Sequence, residues 1–298
     1  MKPGRNKYIL IFLSLLFLQP IQKTEGSGKS LSVFVSIPPQ AYFVERIGGI
    51  NISVDTLVLP GESPATYTPL PDQISKLAKA RIFFRIGVPF ENSLIPKIRA
   101  ISKQLRIIDT RKGITLRKIE SGNYNHKKHE GRSRSSGNDP HIWLDPSLVK
   151  RQAYTIFEAL ADLDSKKRGA YYNNYLSLID DLNSLDTKIR QALEPVKGGI
   201  LFVFHPAFGY FADAYDLRQV AVEVEGKAPR GKDLSLFIKK AREKNVRVVF
   251  VQPQFDKSAA LKIASAIDGA VVSINPLERD YIQNLEKMAK KVAESLRQ

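Results

Sequence analysis

At 298 residues the chain is longer than one average domain, with room for either one large α/β domain or two lobes that each bury a core. Hydrophobic residues at 43% and charged residues at 26% exclude a disordered or membrane-embedded chain and predict a folded body. The balance of 46 Lys and Arg against 30 Asp and Glu, a net charge of +16, favours anionic partners in general, yet no recognisable nucleic-acid module accompanies it and no nucleic-acid partner is expected.

The chain opens with Lys2, Arg5 and Lys7 before an apolar run from Tyr8 to Leu18 that only Ser14 interrupts. That run is well short of the ~20 residues that span a bilayer, so residues 1–28 read as a signal peptide and the remainder as exported, to a periplasmic or other extracytoplasmic space. An uncleaved anchor is the alternative. There is no cysteine, so the interior must be held by its core rather than by disulfides, and the thiol of a lipoprotein anchor is missing.

Leu31 to Ile37 is a β-branched run ending at Pro38-Pro39, as expected of a buried parallel strand. A helix over Gln40–Ile47, a strand over Ile52–Leu59, a helix over Pro71–Ala80 and strands at Arg81–Ile86 and Leu105–Asp109 follow. Residues 111–138 hold little apolar material, and Arg111 to Arg134 alone carries eight Lys or Arg against Glu120 and Glu130; this predicts a flexible basic loop. Apolar residues at Tyr172, Leu176, Ile179, Leu182, Leu185, Ile189 and Leu193 then keep helical spacing. A helix over Lys166–Leu193 would run about 42 Å at the usual rise per residue.

A second strand-helix series follows, with strands at Gly199–Phe204, Val220–Val224, Val246–Val251 and Ala270–Ile274, and a closing helix over Asp280–Leu296. The predicted fold class is α/β: two lobes, each with a mainly parallel four-stranded sheet flanked by helices, joined by one long rigid helix. The expected divisions are an N-terminal lobe over 29–146, linking helices over 147–195 and a C-terminal lobe over 196–298.

Only four histidines are present. His126 and His129 lie in the basic loop. His141 and His205 are expected at strand-to-loop positions, one in each half, where α/β sheets gather ligands. An imidazole from either side of a cleft is a metal-bridging arrangement, although any lone histidine is more often a satisfied interface residue. Glu91 reads as a structural hydrogen-bond acceptor, Gly87 as part of the cleft rim, and Tyr67, Trp143, Phe208 and Tyr210 as apolar walls or plain core. No Ser-His-Asp arrangement, P-loop or dinucleotide motif is visible, so no enzyme is expected.

The segments SIPPQAYFVERIGG, LPGESPATYTPLPDQISKLAKA, IGVPFE, DPHIWLDP, VFHPAFGYFADAYDL, EVEGKAP, FVQPQF and INPLERDYIQNL together resemble the metal-binding receptors of zinc and manganese ABC importers (cluster A-I, solute-binding protein family 9) over residues 31–298. The resemblance implies four metal ligands, two from each lobe. The motif Pro-His-x-Tyr places the first at Ala65, which has no donor; the DPHxWLDP and VFH segments place two at His141 and His205; the aspartate before Pro-Leu falls at Asn275, which keeps an oxygen but no charge. His126, His129, Glu223, Glu225 or water are the candidates to complete the shell. The implied function is capture of Zn2+, or less favourably Mn2+, by a monomer that delivers it to a membrane permease. The alternatives are an adhesion or envelope interaction protein with a degraded site and, below it, a metal-dependent hydrolase.

Overall fold

A computed structural model describes residues 30–119, 137–223, 231–255 and 257–297. The expected signal peptide, His126, His129, Glu225 and the middle of the basic loop lie outside them.

The first lobe runs β1 (Leu31–Val35), α1 (Pro38–Gly48), β2 (Ile52–Thr56), α2 (Pro71–Lys79), β3 (Ile82–Arg85), α3 (Glu91–Ile101) and β4 (Arg106–Asp109). Two linking helices follow, α4 (Pro146–Leu163) and α5 (Arg168–Leu193). The second lobe runs β5 (Ile200–Val203), α6 (Gly209–Ala214), β6 (Arg218–Ala221), α7 (Lys232–Glu243), β7 (Val248–Val251), α8 (Lys257–Ala266), β8 (Ala270–Ser273) and α9 (Tyr281–Leu296). The two sheets are wholly parallel and share one topology, β2-β1-β3-β4 and β6-β5-β7-β8. Burial follows from that order: the inner strand β7 is buried at every residue, whereas the edge strand β2 alternates and turns Ser53 and Asp55 outward.

Helix starts obey local chemistry. Pro38 and Pro71 begin α1 and α2, where a missing N–H is no loss. Pro146 begins α4 behind Asp145, whose carboxylate accepts from the Ser147 N–H at 2.7 Å. The long helix starts at Arg168, two residues later than expected, because Ser165–Lys167 forms a 3-10 turn; its 26 residues run about 39 Å. Its buried stripe is Tyr171, Leu178, Leu182, Leu185, Ile189 and Leu193. Tyr172 and Leu176, expected on that stripe, are exposed, and Tyr172 stacks instead on Tyr175 beside Phe157 of α4.

The lobes are not separate bodies. One apolar core runs from Phe34, Phe83 and Phe84 of the first sheet through Leu182 and Leu185 of α5 to Phe250, Leu285 and Val292 of the second lobe. Helix α5 packs on α1, α4 and α9, and Arg279 pairs with Glu45 of α1 across the junction. Among the described residues no helix is long and apolar enough to cross a membrane.

The expectation of a flexible loop throughout 111–138 needs correction at both ends. Lys118 pairs antiparallel with Asn138, the Ile119 N–H donates to the Gly137 carbonyl at 3.1 Å and Asp139 N–H to the Arg117 carbonyl at 2.9 Å. Ile114 and Leu116 pack against the core, which is the apolar anchor that the composition of the whole segment obscures.

Candidate metal centre

The site lies at the mouth of the second sheet, where the chain crosses from one side of β5 to the other. In a parallel sheet this switch point opens a crevice beyond the strand ends. His205 stands two residues past β5, and Gln252 directly follows the neighbouring strand β7. Gln252 is buried and grips the histidine's backbone from both sides: its Nε2 donates to the His205 carbonyl at 2.8 Å and its Oε1 accepts from the His205 N–H at 3.3 Å.

His141 arrives differently from the expectation of a strand end. It follows the Lys118–Asn138 bridge and immediately precedes the 3-10 turn Ile142–Leu144 that leads into α4. Asp139, fully buried, shapes this corner: one carboxylate oxygen accepts both the His141 N–H at 3.0 Å and the His141 ring Nδ1 at 2.7 Å. Tyr210 of the second lobe locks the corner from behind, donating to the Asp139 carbonyl at 3.1 Å and accepting from the Arg117 N–H at 3.0 Å. Arg117 in turn reaches Asp139 at 3.5 Å and Asp213 at 3.1 Å, held close to α6 because Gly209 has no side chain.

The two imidazoles therefore face each other from separate lobes, with ring centres 5.4 Å apart. His205 is oriented as His141 is: its Nδ1 meets Glu223 at 2.7 Å. A carboxylate only accepts, so each Nδ1 carries the proton and each Nε2 keeps its lone pair for another partner. Zinc–nitrogen bonds of about 2.0–2.1 Å with tetrahedral angles would set two ring centres about 5 Å apart, close to the separation seen. Burial pushes the His141 imidazole below its ordinary pKa, against the upward pull of Asp139, and His205 adds to the depression. A neutral ring is the form that binds metal.

The cavity between the histidines has a volume of about 520 Å³. Trp143 and Phe255 form its aromatic walls; the rings of His141 and Trp143 lie 5.1 Å apart, and Phe255 stacks on His205 at 5.0 Å. Of the other aromatics expected as walls, Phe208 is core, Tyr210 is the lock described above, and Tyr67 donates to the Leu57 carbonyl and packs on Phe90. Glu91 is a structural acceptor, as expected: it takes bonds from Ser36 Oγ, Ile86 N, Gly87 N and Arg85 Nε.

Ala65 stands on the cavity wall and brings no donor. Asn275 lines the neighbouring cavity, where its Oδ1 already accepts from Gln254 Nε2 at 2.9 Å and Leu277 N at 3.1 Å, while its amide nitrogen donates to Glu278. Among the described residues no group of three or more His, Cys, Asp or Glu is placed to hold a metal. The residues that sequence reasoning missed are Asp139, Gln252, Arg117 and the locking role of Tyr210; Glu223 was a candidate ligand and is placed behind His205.

Two parallel α/β lobes clasped by long helices, with one imidazole from each side at the crevice, define a cleft-type solute-binding protein. Residues 33–295 match the family model of ZnuA, the periplasmic component A of the zinc-uptake complex, and the chain belongs to that family. A crystal structure of ZnuA superposes with a TM-score of 0.82 at 37% identity, covering 90% of this chain and 99% of that one. A putative metal-binding protein of Chlamydia trachomatis serovar D is 27% identical over 284 residues, 94% of this chain and 97% of its own length. The high-affinity zinc uptake system protein ZnuA of Bacillus subtilis strain 168 is 24% identical over 257 residues, 85% of this chain and 81% of its own length. Another relative, of Streptococcus pneumoniae, is named as a manganese ABC transporter substrate-binding lipoprotein. The family is one of solute-binding transport proteins rather than enzymes.

Proposed function

We propose that this chain captures a divalent transition metal in the crevice between its lobes and delivers it to the membrane permease of an ABC importer. The observation that carries the reading is the facing pair His141 and His205, 5.4 Å between ring centres, each held by a carboxylate on Nδ1. Such carboxylate–histidine pairs fix the ring and raise the basicity of the nitrogen left for a metal. Two imidazoles favour zinc over manganese, which prefers carboxylate oxygen. Asn275 joins as a ligand only by releasing Gln254 or the Leu277 N–H from its Oδ1.

Export by residues 1–28 and action in the periplasm go with this reading. One copy supplies both histidines, which favours a monomer. Titration calorimetry with zinc and manganese on metal-free protein, beside a His141→Ala, His205→Ala double variant, tests it. Micromolar or tighter zinc binding that the double variant loses is the expected result. Absence of binding by the wild-type protein overturns the proposal and turns the search to protein partners.

A further inference from the structure

The cavity holds more than a bare ion needs. The two imidazoles give two donors, whereas zinc takes four ligands as a rule. Glu223 also lines the cavity, but its Oε2 is engaged by His205 Nδ1 at 2.7 Å, and among the described residues no group of three His, Cys, Asp or Glu is placed to hold an ion, so donors must come from elsewhere. A volume of about 520 Å³ lies within the range of small-molecule pockets.

One part of the wall is basic. Arg111 lines the same cavity, its Nε and Nη2 tied to Asp109 at 2.9 and 2.6 Å. That clamp leaves Nη1 without a protein acceptor among the described residues, lying over Gly87. The glycine makes the position possible: a Cβ there would stand 2.2 Å from Nη1, and its φ of +93° suits glycine alone. A guanidinium repels a lone cation; it suits a carboxylate that arrives with one.

Resting on the metal-capture reading above, we infer that the cargo is a complex of the divalent ion with a small carboxylate chelator. The ion sits on His141 and His205, the chelator supplies the missing donors, and a free carboxylate oxygen meets Arg111 Nη1.

The test uses metal-free full chain and three probes: zinc alone, the zinc–citrate complex, and the zinc–L-histidine complex. Calorimetry and native mass spectrometry report affinity and stoichiometry. The expected result is that one of the complexes binds at least about tenfold more tightly than zinc alone, worth about 1.4 kcal/mol, and appears as a protein–zinc–chelator species. Citrate succeeding identifies a hydroxycarboxylate, histidine an amino acid. In Arg111→Gln that gain disappears. If both chelators merely strip zinc from the protein and never appear bound with it, the inference is overturned while metal capture stands. A gain that survives in a folded Arg111→Gln also overturns it. If no probe binds, both readings fall. Should Arg111→Gln melt out of its fold, the wild-type arms still decide between a bound complex and simple competition.

Discussion

At the scale of single residues, the two imidazoles depend on the carboxylates behind them. Asp139 and Glu223 each hold an imidazole by Nδ1, at 2.7 Å in both cases. Asp139→Asn or Glu223→Gln exchanges an obligate acceptor for an amide that can also donate, so the ring loses its fixed proton and its fixed aim. Losing such partners typically lowers metal affinity by about 10–100-fold. Zinc titration of the two single variants, with melting curves as the fold control, checks this; unchanged affinity in both would show that the carboxylates do not aim the rings. The histidines themselves were legible because there are only four, and two fall in segments with a recognisable pattern. Their supports were not legible for a geometric reason. Glu223 lies 18 residues from His205, and Gln252 lies 47 away. Only the parallel pairing of β5 with β6 and β7 brings these loops to one crevice. The Asp139–His141 contact is local, but aspartate before proline reads as a turn residue until the ring is seen turned back onto it.

At the scale of elements, two contacts seat the connecting segments on the lobes. The first is the end of β4, where Asp109 holds Arg111. Burial pushes the Asp109 carboxyl up, but hydrogen bonds from the Arg111 side chain and backbone, with the charges of Arg111 and Arg85, prevail and bring it below its ordinary value. A depressed carboxylate stabilises the fold at pH above its unfolded value, near 3.9, and that contribution is lost as pH falls through the lower folded value. Asp109→Asn should therefore lower stability most near neutral pH, with the gap to wild type closing below about pH 4. Denaturant midpoints across pH 3–7 report it, and a gap that is flat with pH would contradict it. The second contact is Gly209 at the start of α6. A Cβ there would stand 1.3 Å from Arg117 Nη1 and 2.9 Å from the Asp139 carboxylate. Gly209→Ala should evict the guanidinium and leave the buried Asp139 carboxylate without its ion-pair partner, costing about 1–3 kcal/mol. A lower urea midpoint at unchanged slope is the expected observation. Most elements were legible because period-2 and period-3.6 patterns and Pro or Gly boundaries coincide, as at β1 and α1. Helix α3 escaped because Pro96 sits inside it, and the ordered ends of the basic segment escaped because Ile114 and Leu116 are too few to show a period.

At the scale of the whole molecule, the continuity of the core decides how the cleft can move. Helix α5 contributes Leu182, Leu185 and Ile189 to a core that reaches both sheets, so neither lobe can swing without shearing that packing. Trp143, the sole tryptophan, crosses the junction by donating its ring N–H to the Pro276 carbonyl at 2.7 Å. Its fluorescence therefore reports the inter-lobe contact, while circular dichroism reports the helices of both lobes. If the lobes form one cooperative unit, the two signals must melt together. Leu185→Ala, at a site 1% exposed, should remove about 2–5 kcal/mol and move both curves by the same amount. Zinc should move them jointly in the other direction, by about 2.7 kcal/mol at a hundredfold excess over its dissociation constant, because only the folded cleft presents both histidines. A tryptophan transition that separates from the helix transition would mean that the lobes part before they unfold. Capture would then involve a wide hinge rather than the small tilt that a shared core permits.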